Sequence, residues 1–364
     1  MSNIEIKNLE KVRQAVNVCT MCGFCKSVCP SFKAIRWDPS AARGRVILSY
    51  GLLNGDIPAD KSVIDNIYTC TTCMDCVRRC PSKVDVVDII EMCRADLVRN
   101  GHMLPKHKTA VDNILENGNP YGEKETMAQR LKAVPKKAKV GYFPGCSAAF
   151  RTPETANAAL SILKKLNVDS TVVDCKCCGS VMQRVGWDND NVVKIMKDNV
   201  NAIKEQGVET LILSCAGCYR MFKEEYPKHT EVPFRVLHLS EFLAERDLKL
   251  KPLKAKATYH DPCHLGRHAN VYDAPRKVIR MIPELEFKEM ANIRDTARCC
   301  GGGGGVRSAY PEESKRMAEA RIEEAAFADI IITACPFCVN NLRFGMGDRT
   351  IRVADLAELV NELL

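Results

Sequence analysis

A chain of 364 residues with 46% hydrophobic and 27% charged residues has the composition of a globular protein of two or three domains. Twenty cysteines depart from that norm. The start, Met1-Ser2-Asn3-Ile4-Glu5, has no apolar signal core and no apolar run reaches a membrane span, so a cytoplasmic chain with reduced thiols is expected, not a secreted disulfide framework. The formal charge of +8 treats the cysteines as neutral, and no basic stripe interleaved with aromatics accompanies it, which argues against a nucleic-acid binder.

Residues 1–135 read as one mostly helical unit. Helices are expected over Asn8–Val18, Arg43–Leu53, Lys61–Tyr68, Val86–Asn100 and Lys106–Asn117, with Asn100-Gly101 as a stop. A polar connector runs from Pro120 to Lys137. The unit carries Cys19-x2-Cys22-x2-Cys25-x3-Cys29-Pro30 and Cys70-x2-Cys73-x2-Cys76-x3-Cys80-Pro81. In this spacing three close cysteines hold one cubane and the fourth, before proline, ligates the other. Cys19, Cys22, Cys25 and Cys80 are therefore expected on one [4Fe–4S] cluster, and Cys70, Cys73, Cys76 and Cys29 on a second. Cys93, without a partner spacing, reads as a buried structural thiol.

From Lys139 the pattern changes. Short apolar, β-branched runs alternate with helical stretches, and each run leads into a cysteine: Val140–Phe143 into Cys146, Thr210–Ser214 into Cys215, Ala257–His260 into Cys263, Ile330–Ala334 into Cys335. Alternation of this kind implies parallel sheets covered by helices on both faces. The segment is duplicated. Cys146, Cys177-Cys178-Gly179 and Cys215-x2-Cys218 return as Cys263, Cys299-Cys300-Gly301 and Cys335-x2-Cys338, about 120 residues on. Units are expected at 139–250 and 255–364. The fold class is α+β multidomain: an all-α N-terminal domain, then two duplicated α/β domains with parallel sheets. Five sulfurs per set exceed what a tetrahedral zinc or a cubane needs. The five-glycine run Gly301–Gly305 lacks the Lys-Ser/Thr and strand context of a phosphate loop.

The two N-terminal runs with their long helical insert resemble the helical ferredoxin domain. The repeated Cys…Cys-Cys-Gly…Cys-x2-Cys sets, together with Tyr259-His260-Asp261-Pro262-Cys263-His264-Leu265-Gly266-Arg267, resemble the cysteine-rich CCG domain. In this order they resemble the catalytic subunit of heterodisulfide reductase in its fused form. That resemblance implies a noncubane [4Fe–4S] cluster on Cys146, Cys177, Cys178, Cys215 and Cys218, and another on Cys263, Cys299, Cys300, Cys335 and Cys338. Whether Cys175 joins the first set stays open. The implied activity passes electrons through the cubanes to the paired noncubane clusters, reducing the coenzyme M–coenzyme B heterodisulfide to two thiols. His264, His260 and Lys176 are candidate proton donors, and Arg184, Arg267 and Arg276 candidate anion binders. A redox partner must deliver electrons, either a soluble flavoprotein or a membrane cytochrome; the latter would hold the chain at the inner face of the membrane. The chain itself is expected to have no transmembrane segment and no nucleic acid. The rivals are the iron–sulfur subunit of a flavin-dependent glycolate or lactate dehydrogenase, and a zinc-stabilised interaction protein.

Overall fold

The computed structural model describes residues 4–187 and 189–364. Residues 1–3, part of the first expected unit, lie outside the described residues. The N-terminal part is helical, as its periodicity predicts. Its long helices are Ala42–Asn54, Lys61–Tyr68, Val86–Arg99 and Pro105–Asn117. Asp60 caps the second by accepting from Val63 N, and Asp85 caps the third by accepting from Val87 and Asp88 N. Leu9, Val46, Leu52, Ile67, Ile89, Ile90 and Leu97 close their core.

The expected helix Asn8–Val18 begins instead with a 3-10 turn, Leu9–Val12, followed by Arg13–Asn17. The cause is tertiary. The buried carboxylate of Asp96 accepts from the backbone N–H groups of Lys7, Asn8 and Leu9 at 2.8–3.2 Å and pins that end. Four short helices were not legible in the spacing: Phe24–Val28, Pro30–Ile35, Asp75–Arg78 and Met127–Arg130.

Two four-stranded parallel sheets follow. The first contains β1 (Val140–Phe143), β2 (Ser170–Val172), β3 (Thr210–Leu213) and β4 (Arg235–His238), in the order β2-β1-β3-β4. The second contains β5 (Ala255–His260), β6 (Leu285–Phe287), β7 (Ile330–Thr333) and β8 (Arg352–Asp355), in the order β6-β5-β7-β8. The identical orders are the duplication seen in three dimensions. Each sheet changes direction of winding between its two central strands. That is where an open α/β sheet leaves a crevice at its strand ends. Cys146 and Cys215 follow the central pair of the first sheet, and Cys263 and Cys335 follow that of the second.

The two halves share one core. Helix Pro153–Lys165 of the first packs on Leu356–Leu363 of the second, and Leu239–Ala244 of the first packs on Asp273–Arg280 of the second. Thr155 Oγ1 donates to Glu358 Oε1 across the former contact at 2.7 Å. Among the described residues no helix is long and apolar enough to cross a membrane.

Candidate metal centres

Cys19, Cys22, Cys25 and Cys80 line one small cleft, and Cys22 is exposed at its edge. Cys29 leaves that group. Its buried thiol lies in the field of Cys70 and Cys73, and Cys76 feels Cys73, Cys70 and Cys29. Cys29 also acts on Cys25 of its own run, so its thiol lies between the two groups, while Cys80 lines the cleft of the first run.

Both runs are wound the same way. Met21 and Thr72, one residue before the second cysteine, have φ of 54° and 53°. Gly23 and Met74, one residue after it, have φ of 86° and 69°. Left-handed backbone at non-glycine residues costs roughly 1–2 kcal/mol each, so the same strain in both runs marks a constrained site. Hydrogen-bond donors face the sulfurs. Thr72 N lies 3.4 Å from Cys70 Sγ, Val84 N 3.3 Å from Cys80 Sγ, and Arg45 Nη1 3.7 Å from Cys29 Sγ. Donors so placed stabilise thiolates.

The five-cysteine sets are fully buried. Within the first, thiol contacts run Cys146 to Cys177, Cys177 to Cys178, Cys178 to Cys218, and Cys218 to Cys215. The second repeats them from Cys263 to Cys299, Cys300, Cys338 and Cys335. Cys300 Sγ and Cys338 Sγ are 3.4 Å apart, and Gly301 N is 3.4 Å from Cys299 Sγ. Gly145 has φ of 78°, and a Cβ there would sit 2.9 Å from Cys218 Sγ, so only glycine lets the loop pass the sulfur. One further contact joins the two sets, the Cys215 thiol to that of Cys335, and another joins Cys73 of the N-terminal part to Cys299. The thiols of ten cysteines in the two α/β halves and of Cys73 form one unbroken series.

Burial, then the neighbouring thiols, push Cys76 well above the ordinary thiol range; burial also raises Cys29, and Cys25 to about 11. Without added positive charge such sulfurs remain protonated. A cationic metal core makes them thiolates. Crowded sulfurs, inward N–H groups and matched loop strain all fit iron–sulfur clusters.

The candidate proton donors fall in different places. His264 Nδ1 is 3.8 Å from Cys263 Sγ, its ring stacks on His268 at 4.5 Å, and its buried Nε2 has no partner among the described residues. Burial first, then the charges of Arg220 and Arg267, lower its pKa to about 3, so the ring is neutral. His260 is 1% exposed and accepts from Arg321 Nε at its Nδ1, 3.1 Å away. The ring proton therefore sits on Nε2, and the ring interacts with the Cys300 thiol. A ring nitrogen of His260 and the sulfurs of Cys300 and Cys338 lie within 4.8 Å of one another. Lys176 is exposed, its stem against Gly118.

The three arginines considered for anion binding are buried and tied to the protein. Arg184 pairs with Glu91; Arg267 donates to the carbonyls of Cys73 and Ala297; Arg276 grips Asp261 at 2.7 and 2.9 Å and also Glu289. Cys93 is fully buried in the N-terminal core, and Cys175 Sγ faces Asn199 O at 3.7 Å instead of another thiol. The glycine run packs against the N-terminal part: a Cβ on Gly304 would sit 2.3 Å from Cys70 O, and one on Gly305 2.4 Å from His107 Nε2. Arg94, not singled out by spacing, is fully buried and donates to the carbonyls of Ile67, Tyr68, Cys70, Arg184 and Gly304, stitching all three parts together.

Residues 15–84 match the 4Fe-4S dicluster domain family, and residues 140–223 and 257–343 each match the cysteine-rich domain family. The whole chain aligns at 36% identity with 97% of a dihydromethanophenazine:CoB–CoM heterodisulfide reductase subunit from Methanosarcina mazei. Of the chain, 94% aligns at 34% identity with 71% of a fumarate reductase (CoM/CoB) subunit from Methanothermobacter marburgensis. In fold, 98% of the chain superposes on 71% of a hypothetical protein from Helicobacter pylori, with a TM-score of 0.61 at 10% identity. Two ferredoxin-type runs, a duplicated five-thiol centre and these relatives describe an iron–sulfur redox subunit, and the chain belongs to the heterodisulfide reductase family.

Proposed function

We propose that this chain is the catalytic iron–sulfur subunit of a disulfide reductase whose substrate is the heterodisulfide of coenzyme M and coenzyme B. The observation that carries the reading is the Cys215–Cys335 contact, which sets two equivalent five-thiol sites side by side. A disulfide has two like sulfurs, and its cleavage takes two electrons and two protons to give two thiols. The chain is divided into an electron-entry domain at 1–135 and two cysteine-rich domains at 139–250 and 255–364.

Cys19, Cys22, Cys25 and Cys80 would hold one cubane [4Fe–4S] cluster, and Cys70, Cys73, Cys76 and Cys29 the other. Cys146, Cys177, Cys178, Cys215 and Cys218 would hold one noncubane cluster, and Cys263, Cys299, Cys300, Cys335 and Cys338 the second. When bound, such clusters supply single-electron transfer through the N-terminal part and, as a facing pair, the two electrons that cleavage requires. The protein's own residues do the rest. The contact of Cys73 with Cys299 makes the second five-thiol site the nearer neighbour of the N-terminal runs. Arg94 and Arg267 hold that junction by gripping carbonyls on both sides of it. His260, neutral with its proton on Nε2 because Arg321 donates to Nδ1, gives a hydrogen bond that favours thiolate at Cys300 beside Cys338. Burial of all ten thiols keeps bulk water from the reacting sulfurs.

Electrons come from a redox partner, either a flavoprotein or a membrane cytochrome, docking where Cys22 is exposed. The chain works in the cytoplasm, at the membrane face when its partner is membrane-bound. His260→Leu tests this donor by removing it at similar volume. The reading expects thiol release to slow at least tenfold, while reduction of the N-terminal centres by dithionite is unchanged. An unchanged rate would remove His260 from the chemistry.

A further inference from the structure

Exposed apolar side chains gather at one end of the N-terminal part. Among the described residues nine large hydrophobic side chains are exposed, and six of them fall between residues 18 and 50: Val18, Met21, Phe24, Trp37, Ile47 and Tyr50. Phe24 is 65% and Trp37 59% exposed. An exposed apolar patch of this kind marks an interaction surface.

The fold brings these residues together around the first cysteine run. Met21, Phe24 and Arg43 line the cleft of Cys19, Cys22, Cys25 and Cys80. Arg43, Ile47 and Tyr50 stand at i, i+4 and i+7 on helix Ala42–Asn54, so they form one stripe that starts at the cleft. The short helices Arg13–Asn17, which ends beside Val18, and Phe24–Val28 both pack on that helix. Asp38, next to Trp37, pairs with Lys26 at 2.5 Å and with Arg43 at 3.8 Å, which ties Trp37 to the same rim. The exposed Cys22 lies among them.

The rim is basic. Residues 10–50 hold seven Lys or Arg against two acids, Glu10 and Asp38. Arg45 is buried and Lys33 lies in the field of Arg298 and Glu324, so the cations left about the patch are Lys11, Arg13, Lys26, Arg36 and Arg43. Both acids are engaged, Glu10 by Arg13 and Asp38 by Lys26. Arg79 and Lys83, both exposed, flank Cys80, Pro81 and Ser82 of the cleft. An aromatic and Met-bearing centre inside an Arg-bearing rim is the anatomy of a protein–protein interface.

We propose that this face docks a soluble electron-carrying protein whose own docking surface is apolar at its centre and acidic at its edge. The proposal rests on the reading of the chain as a reductase fed by a redox partner, and adds the chemistry of that partner. One electron passes per encounter from the carrier's reduced centre into the site of Cys19, Cys22, Cys25 and Cys80; the carrier is oxidised by one electron, the site is reduced by one, and no bond is made or broken. Charge selects the carrier. Cytoplasmic loops of membrane proteins are rich in Lys and Arg and would meet this rim with like charge, whereas an acidic protein is drawn to it.

Two measurements on the anaerobically purified, cluster-loaded chain test this: its affinity for an acidic bacterial ferredoxin, and the stopped-flow rate at which that ferredoxin, once reduced, reduces the N-terminal centres. Both should fall roughly tenfold as salt rises from about 20 to about 300 mM. Arg36→Glu with Lys83→Glu should weaken binding and slow transfer roughly tenfold at low salt, and Phe24→Ser with Tyr50→Ser roughly tenfold at any salt. Iron content and reduction by dithionite, which needs no docking face, should be unchanged in both pairs. Salt-independent binding, or unchanged affinity and rate in both pairs, overturns the proposal. Binding to phosphatidylglycerol vesicles that is lost in Phe24→Ser with Tyr50→Ser, while the ferredoxin kinetics hold, gives the patch to a membrane and also overturns it. Ferredoxin docking of the expected kind without cleavage of the heterodisulfide keeps the face and removes the reductase reading. Viologen-driven cleavage with unchanged ferredoxin kinetics in the variants removes the face and keeps the reading.

Discussion

Cys215 and Cys335 hold the same position in the two halves of the duplication, and their free thiols are in contact. Equivalent atoms that touch lie beside a two-fold axis relating the copies. The helix contacts agree: the helix after β1 packs on the one after β8, and the helix after β4 on the one after β5. Such an arrangement is self-complementary, like the interface of a symmetric dimer within one chain. It places like sites at equal distance from a shared point. The Cys73–Cys299 contact breaks the equivalence: among the described residues, the second half meets the N-terminal part through a thiol pair and the first half does not.

Cysteines outside the thiol series should not matter for metal content. Cys93→Ala and Cys175→Ala should retain about sixteen irons per chain, because neither sulfur faces another thiol. Cys73→Ser should lower the iron count and slow reduction of the α/β centres. Iron and sulfide quantification after anaerobic purification checks this. Loss of about four irons from Cys175→Ala would place that residue among the ligands.

Arg94 satisfies five carbonyls from three parts of the chain. Arg94→Met should destabilise the fold by about 3–5 kcal/mol, since it leaves buried acceptors unpaired. Arg94→Lys should recover little, because an ammonium cannot span the same fork. Denaturant unfolding measures both.

The Glu91–Arg184 pair is buried on both sides and joins the N-terminal part to the first sheet's half. Glu91→Leu alone should cost about 3–5 kcal/mol, as Arg184 is left charged and unpaired. Glu91→Leu with Arg184→Met should recover most of that loss. A double-mutant cycle gives the coupling directly.

His107 is buried, and its Nε2 donates to Gly305 O at 2.9 Å. Burial lowers its pKa from 6.5 to about 4. The unfolded chain therefore takes a proton at this residue below pH 6.5, while the folded chain stays neutral until about pH 4. Stability should fall as pH drops through that window, by up to about 3 kcal/mol. His107→Gln can keep the bond to Gly305 but cannot titrate, so its stability should decline less steeply with acid. Parallel pH curves for the two proteins would contradict this.

Much of this architecture was legible in the sequence because it rests on local signals. Cysteine spacing marked the centres, and β-branched runs before Cys146, Cys215, Cys263 and Cys335 marked the strands. The three-residue strands β2 and β6 were missed because Ser170–Val172 and Leu285–Phe287 are too short to show a period. The three arginines expected as anion binders are tied inside the protein for a different reason. The partners of Arg184, Arg267 and Arg276, among them Glu91, Cys73 O and Glu289, come from elements that only folding brings near. In the sequence the glycine run shows only that it is no phosphate loop. Its tail serves close packing against Cys70 and His107, a contact between residues some two hundred positions apart. His268 and Arg220 gave no signal beyond lying a few residues past a cysteine.

The central claim is that the paired five-thiol sites cleave a disulfide. Its most direct test is to count thiols released from the coenzyme M–coenzyme B heterodisulfide by the anaerobically purified chain, given a measured supply of electrons from reduced viologen. The account predicts two thiols for every two electrons consumed, abolished in Cys300→Ser and Cys178→Ser while the N-terminal centres still reduce. A chain with full iron content that accepts electrons but releases no thiols would contradict it.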